Sequence, residues 1–405
     1  MAKRPQENIL KNIETLDEIA EPLLRWFHSE KRALPWREEP TPYRVWVSEI
    51  MLQQTRVEAV KPHFERFVAA LPDVRALARA DETTLMKLWE GLGYYSRARH
   101  LQSAARLICS DHGGKIPARF DDLLTLPGIG RYTAGAVASI AFGERRPAVD
   151  GNVLRVIMRL LACPADILKE STKRAVEEAL IARLPKNAGD FNQALMELGA
   201  LVCLPRGAAR CPSCPLERLC LAKEANLQAE LPQKTPPKRR RTEKLTIFLL
   251  AKNDKIALEK RPAQGLLAGL WGFPAMEGHL KKNEAAKTLQ ALGLIPAKLH
   301  ALPAAQHIFS HITWQMVGWH VELAETSSDE PSAATKSSPA STEAVEANAR
   351  PASLCLHEAT APYDAQTKTL PLLWATAQEI ADIYSVPAAY RSYFPYLQAP
   401  DGASS

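Results

Sequence analysis

The sequence predicts a multi-domain chain, with an all-α first part followed by an α+β second part. Three observations carry this. Apolar residues recur at helical spacing through residues 1–227 with no convincing period-two strand, four cysteines cluster between Cys203 and Cys220, and the pattern turns to strands beyond a proline-bearing basic linker. At 405 residues the chain is long enough for two well-cored domains. Its formal charge of +6 and pI of about 8.9 fit a polyanionic partner without demanding one. No apolar run of about 18 residues exists, and the charged opening lacks the apolar core of a secretory signal. The expectation is a soluble intracellular protein with no membrane partner.

Residues 14–28 read as a helix with Leu16, Ile19, Leu23, Leu24 and Phe27 on one side. Pro35, Pro40 and Pro42 make an extended loop, and Tyr43 to Val60 then runs as a helix with Val47, Ile50, Met51 and Val57 at helical spacing. Glu49 lies among these. A lone glutamate usually belongs to a solvated face, but neighbours as bulky as Trp46, Val47, Ile50 and Met51 argue for burial and a raised pKa. The helical pattern continues from Pro62 to Cys109, broken at Pro72 and at GLGYYSRA (91–98), where the glycines put Tyr94 on a surface loop. Two tyrosines there either pack a helix start or stack in nucleic acid.

Phe120 to Thr125 looks like the end of a helix that Pro127 stops. Gly128 and Gly130 can both take positive φ in a tight hairpin anchored by Ile129, and a second helix follows at Arg131 to Phe142, with small residues that admit a close neighbour. The N–H groups of the hairpin and of that helix start suit a phosphate oxygen. Taken alone, P-G-x-G is more often an ordinary helix connection. Asp150, in VDGNV ahead of the helix Asn152 to Leu161, is in the same way either an N-cap or a reactive carboxylate. Two more helices span Ser171 to Leu184 and Ala188 to Val202.

The cysteines follow as C-x7-C-x2-C-x5-C at Cys203, Cys211, Cys214 and Cys220. Four thiolates so close need positive charge, which zinc or an iron–sulfur cluster supplies. Zinc ribbons usually carry two C-x2-C knuckles; the single pair here favours [4Fe–4S]. Cys109 and Cys163 sit in apolar helical patterns as small core residues. Residues 228–243 read as a linker ending in a basic run, Lys238 to Arg241. Beyond it, 245–251 and 255–261 form a hairpin about Asn253-Asp254, and 271–274 and 314–323 add strands, with a helix at Lys281 to Leu292. A mobile Ser/Thr/Ala/Pro-rich insertion at 324–350, a strand at 352–357 and a short helix near Ala375 to Ile383 complete the second part, 244–400.

With VSEIMLQQT, GLGYYSRA, LPGIGRYTAG, VDGNV and the cysteine cluster in this order, residues 30–220 closely resemble the adenine DNA glycosylases of the helix-hairpin-helix superfamily. The resemblance implies a two-lobed all-α domain over 1–227, with the hairpin at 120–142 and a [4Fe–4S] cluster on Cys203, Cys211, Cys214 and Cys220. Seven residues separate the first two cysteines where the family usually has six, a departure that bears on Cys203. The implied activity is removal of adenine opposite 8-oxoguanine or guanine in double-stranded DNA, leaving an abasic site, by a cytoplasmic, nucleoid-associated monomer. Glu49 would be the general acid and Asp150 the carboxylate beside the sugar cation, with Tyr132 and Asn152 hydrogen-bonding within the site. A base protonated as it leaves and a negative charge beside an oxocarbenium ion call for two carboxylates in unlike environments. Gly128 and Gly130 would grip the backbone, Gln54 and Tyr94 would wedge into the stack, and Thr55 would meet the opposite strand. Arg32, Trp36 and Gln193 would line the adenine pocket.

Tyr132 stands where the related endonuclease III group has a lysine that forms a Schiff base; a phenol cannot, so the resemblance implies a monofunctional enzyme. The second domain resembles a Nudix fold through GLWGFP. Gly278 and Glu284 match the start of the Nudix box, but its acidic cluster is absent, which implies a binding module. Phe309, Ser310 and His311 match the loop that reads oxidised guanine in the glycosylase family. Three competing readings are disfavoured. An endonuclease III-type lyase is opposed by Tyr132, a non-enzymatic DNA-binding protein by the Glu49 and Asp150 pair, and a nucleotide pyrophosphohydrolase by the missing acidic helix.

Overall fold

A computed structural model describes residues 12–205, 209–236, 239–324 and 371–398. The chain divides into two units, Met1–Pro237 and Lys238–Ser405. Most of the insertion expected at 324–350, the strand at 352–357 and Lys238 of the basic run lie outside the described residues.

The first unit is built from helices. The single helix expected over 14–28 is instead a 3-10 turn, Ile13–Asp17, followed by α1, Ala20–Glu30. Pro22 is the reason: its ring would clash with the carbonyl of Glu18 if the α-helix began earlier. After α2 (Pro35–Glu38) comes α3, Pro42–Leu52, begun by Pro42 and capped by Thr41, whose hydroxyl accepts from the Arg44 N–H. The helix expected to reach Val60 stops at Leu52, because Gln54 adopts a left-handed conformation at φ 58°; the chain restarts as α4, Val57–Ala70. Gln54 and Thr55 therefore lie on a connection. Helices α5 (Val74–Arg79), α6 (Glu82–Trp89) and α7 (Ser96–Asp111) follow, and Asp73 and Asp81 cap the first two of them. Between α6 and α7 the GLGYY turn runs through positive φ at Gly91, Gly93 and Tyr94, and leaves Tyr94 exposed.

The hairpin joins α8 (Phe120–Leu123) to α9 (Arg131–Phe142). Only Gly128 uses the left-handed region, at φ 75°, and a Cβ there would stand 2.6 Å from the Cβ of His100. Gly130, expected to share that freedom, is extended and serves as the N-cap of α9. Beyond α9 the chain returns beneath it to α10, Gly151–Leu160. Buried Asn192 fixes this return, accepting from Ala148 N and donating to Ser139 Oγ and the Arg146 carbonyl. Helices α1, α10, α11 (Glu170–Ile181) and α12 (Ala188–Leu201) enclose one core around Phe27, Ile157, Val176 and Phe191. Beyond the short α13 (Leu221–Glu224), part of the expected linker belongs to this unit: Leu231 is buried, its carbonyl accepts from Arg159 Nε, and Asp166 accepts from Thr235 N.

The second unit is a seven-stranded sheet in the order β3-β2-β1-β6-β5, with β4 beside β1 and β7 beside β2. Strand β1 (Arg241–Lys252) forms the expected hairpin with β2 (Lys255–Lys260) and pairs in parallel with β6 (Ile312–Leu323). The short β3 (Trp271–Gly272), β4 (Ala275–Glu277) and β7 (Leu372–Thr376) extend it. One face packs Phe248, Leu250 and Val321 against Ala285 and Leu289 of α14, Lys282–Ala291. The other packs Phe273 and Trp314 against Tyr390 and Tyr393. Strand β5 (Pro296–Ile308) was not foreseen. Two prolines and a mostly exposed surface hide it in the sequence, and both are tolerated because it is an edge strand. Among the described residues no helix is long and apolar enough to cross a membrane.

A Cβ added at Gly135 in α9 would lie 2.1 Å from the Pro147 carbonyl oxygen. Helix propensity alone favours Gly135→Ala by about 1 kcal/mol, whereas overpacking costs about 1–3 kcal/mol. Because the atom met is backbone, the clash should win, and denaturant unfolding should register a net loss of about 1–2 kcal/mol. A stabilised variant would contradict the close approach.

Candidate active site

The hairpin helix, the α3 helix and the return loop bring their polar residues to one cavity of about 300 Å³ in the first unit. Glu49 enters from α3, Tyr132 from the first turn of α9, and Asp150 from the start of α10; Asn152, Arg32, Trp36, Thr55, Gln193 and Glu197 also line it.

Glu49 is only 6% exposed, buried on an α3 in which seven consecutive positions from Val45 to Met51, together with Tyr43, are buried. Burial pushes its carboxyl up to about 7; the Tyr132 hydrogen bond and Arg37 pull the other way, and Asp150 adds to the rise. The Tyr132 hydroxyl donates to Glu49 Oε2, with Met196 Sδ at 3.3 Å. Burial and the two neighbouring carboxylates hold the phenol well above its ordinary pKa, so Tyr132 is a neutral donor.

Asp150 is the N-cap that its sequence context offered, and it also lines the cavity. It is the N-cap of α10: Oδ1 accepts from Asn152 N at 2.8 Å and Val153 N at 2.7 Å. Its other oxygen accepts from Asn152 Nδ2 at 2.7 Å, on the cavity wall. Burial raises its pKa, opposed by these hydrogen bonds and by Arg155. Arg155 Nη2 donates to Asn152 Oδ1 at 2.8 Å, which fixes the amide so that its N–H faces Asp150. The same guanidinium holds the carbonyls of Gly199 and Cys203.

The cavity also holds a network that sequence reasoning missed in part. Glu197, 2% exposed, accepts from Arg32 N, Nε and Nη2 and from Arg37 Nη2, at 2.7–3.1 Å. Burial alone would raise its pKa, but these guanidinium hydrogen bonds outweigh it and hold Glu197 at about 2. Arg37 also donates to Gln193 Oε1 at 3.0 Å and so orients that amide. Trp36 is mostly a packing residue, edge-on to Phe64 at 5.4 Å, with little surface left for the cavity. Neither Glu197 nor Arg37 carried a local signal, because the contacts that define them span 160 residues.

The remaining expected residues lie elsewhere. Gln54 and Tyr94 are exposed on their loops, and no side chain caps α9 above Gly130, where a Cβ would meet open space. Cys203, Cys211, Cys214 and Cys220 line one small cavity with Arg159, around two short 3-10 turns, Cys211–Ser213 and Glu217–Leu219. Burial, helped by the other three thiols, pushes Cys214 up to about 12, and Arg159 Nη1 stands 3.3 Å from Cys203 Sγ. Among the described residues no three His, Cys, Asp or Glu side chains are grouped to hold a single metal ion. In the second unit, Phe309, Ser310 and His311 form the tip between β5 and β6. Phe309 is wedged between His307 and Trp314, with ring centroids at 4.6 and 4.9 Å, while Ser310 and His311 are exposed. Arg240 Nε and Arg241 N hold the carbonyls of Phe309 and His311.

Residues 47–182 match the HhH-GPD superfamily of base excision DNA repair proteins, and residues 246–395 match the NUDIX domain. The adenine DNA glycosylase of Homo sapiens is 36% identical over 397 residues, covering 80% of this chain and 72% of that protein. The adenine DNA glycosylase of Buchnera aphidicola from Schizaphis graminum is 32% identical over 307 residues, covering 74% and 86%. Among solved structures, a thermostable thymine-DNA glycosylase is 28% identical with a TM-score of 0.47, covering 52% of this chain and 98% of that one.

The raised pKa of Glu49 is a stability statement. Its folded value of about 7 lies above the ordinary 4.5, so its contribution is fully present below pH 4.5 and is lost as the pH rises through 7. Glu49→Gln should leave stability near pH 4.5 almost unchanged and raise it by roughly 3 kcal/mol at pH 9 relative to the unsubstituted chain. Denaturant midpoints at the two pH values read the difference; a pH-independent gap would mean that Glu49 titrates normally.

Proposed function

Because the chain belongs to the adenine DNA glycosylases, which are base-excision-repair enzymes, we propose that it hydrolyses the N-glycosidic bond of adenine opposite 8-oxoguanine or guanine in duplex DNA and leaves an abasic site without cutting the strand. The observation that carries this reading is the shared cavity in which burial keeps Glu49 near pKa 7 while Asp150 is held by a helix start.

In this reading the adenine is flipped out of the stack into the cavity. Glu49 gives its proton to a ring nitrogen as the glycosidic electron pair moves onto the base, so the base departs neutral. The Asp150 carboxylate faces the positive charge that develops on the sugar, and Asn152 keeps it in place. Water then adds to the sugar carbon and gives up a proton, which restores Glu49. Tyr132 orients the Glu49 carboxyl. With no amine, it cannot form the imine that strand cleavage through a Schiff base requires. Arg32 and Arg37, locked by Glu197, and the Gln193 amide supply hydrogen-bond donors for the purine's acceptors.

The four cysteines fit a [4Fe–4S] cluster. Their side chains line one shared cavity instead of converging on one point, and burial raises the pKa of the Cys214 and Cys220 thiols, so a cationic centre there would favour their ionised form. Cys203, Cys211, Cys214 and Cys220 would hold it, and its contribution would be to brace the loop beside α10.

The second domain is read as the sensor of the oxidised guanine. Helix α14 has one acid in its first turn, Glu284, and that carboxylate is spent accepting from the Lys281 N–H at 2.8 Å. The helix thus lacks a metal-binding cluster, while Ser310 and His311 offer exposed polar groups at the β5–β6 tip.

A duplex with adenine opposite 8-oxoguanine should yield strand breaks only after alkali treatment; breaks without alkali, or a borohydride-trapped adduct in good yield, would overturn monofunctional hydrolysis. Ser310→Ala and His311→Ala should each reduce the preference for 8-oxoguanine over guanine about fivefold, the size of one hydrogen bond. An unchanged ratio would remove the domain's sensing role.

A further inference from the structure

Arg97 lies in the first turn of α7 and is buried, yet among the described residues it bonds to no carboxylate. Its Nη1 donates to the carbonyls of Ile50, Met51 and Gln53 at 2.7, 2.9 and 2.6 Å. Its Nη2 donates to the carbonyls of Leu92 and Gly93 at 3.1 and 3.2 Å and to Thr55 Oγ1 at 3.3 Å. The guanidinium also lies 5.4 Å from the Trp89 ring and 5.5 Å from the Tyr94 ring. The first set of acceptors is the C-terminal end of α3 and the turn after it, where helix carbonyls have no intrahelical donor and the helix dipole favours a cation. The second set, apart from Thr55 of the first turn, is the turn that carries Tyr94.

These two turns contain Gln54 at φ 58° and Tyr94 at φ 46°. A left-handed conformation is unfavourable for such residues and persists only where the surroundings over-determine it. Here the surroundings are one planar fork, which charges the burial of a cation to fixed dipoles and aromatic faces; its pKa, brought down by burial to about 10, still leaves it charged near neutrality. A lysine has all its donors on one atom and cannot span both turns.

We infer that Arg97 is a positioning residue that locks the Gln54 turn to the Tyr94 turn, so that both side chains enter the DNA stack as one rigid wedge. This rests on the reading of those two residues as the wedge. Holding the loops in advance removes the ordering cost that separate loops would meet when they displace a stacked base.

The test compares Arg97→Lys with the unsubstituted chain on two duplexes, one fully paired around an adenine opposite 8-oxoguanine and one with a mismatched pair on each side of it. A wedge defect should slow single-turnover excision at least about tenfold on the paired duplex and less than about threefold on the premelted one, where unstacking is already done. Equal slowing on both, or no slowing on either, overturns the proposal. If the variant does not fold, hydrogen exchange on the unsubstituted protein decides. Segments 52–56 and 92–96 should open together, and rates differing by more than about a hundredfold would mean that no common clamp exists. Should the unsubstituted chain fail to excise adenine from either duplex, the functional reading fails, while the exchange measurement, which needs no DNA, still judges the clamp.

Discussion

The candidate site depends on a carboxylate that doubles as a helix cap. Asp150 satisfies the first N–H groups of α10, and α10 is buried along most of its length and packs against α12. The position of that carboxylate is therefore set by the core itself. A side chain on a free loop would have to be ordered anew for each encounter; this one is ordered whenever the domain is folded. The return segment that delivers it passes so close beneath α9 that only a glycine at 135 admits it, and Asn192 ties the same segment from the other side.

Two glutamates at one cavity illustrate how environment outweighs residue type. Glu49 has apolar neighbours and a single phenol donor, and its carboxyl moves up to about 7. Glu197 is as deeply buried but faces two guanidinium groups, and it moves down to about 2. The gap of roughly five units corresponds to about 7 kcal/mol in the relative cost of ionisation. One carboxyl thus retains a proton at a pH where the other is fixed as an ion pair.

Local periodicity made most helices legible. The second hairpin helix falls at Arg131–Phe142 as its small-residue pattern predicts, and the β1–β2 turn falls at Asn253. What escaped was set by tertiary context. The apolar spacing of 43–60 continues across a break, because the conformation of Gln54 is imposed by a fork reaching in from Arg97, 43 positions along the chain, and leaves no trace in hydrophobicity. Strand β5 escaped because it carries two prolines and no position of it is fully buried, so no apolar alternation marks it. The Glu49 and Asp150 pairing became visible only through resemblance, since nothing local links residues a hundred positions apart. The Arg37–Glu197 contact was not visible at all.

Strand β5 has a consequence for how copies of this molecule meet. A thirteen-residue edge strand with a bare row of amides would be a template on which a second molecule could add its own strand. Pro296 removes a donor at its start, and the register shifts between Leu302 and Ala305, beside Pro303, so the edge is cut into two short and misaligned pieces. Neither offers a continuous ladder, and the sheet can keep a long exposed border without seeding aggregation.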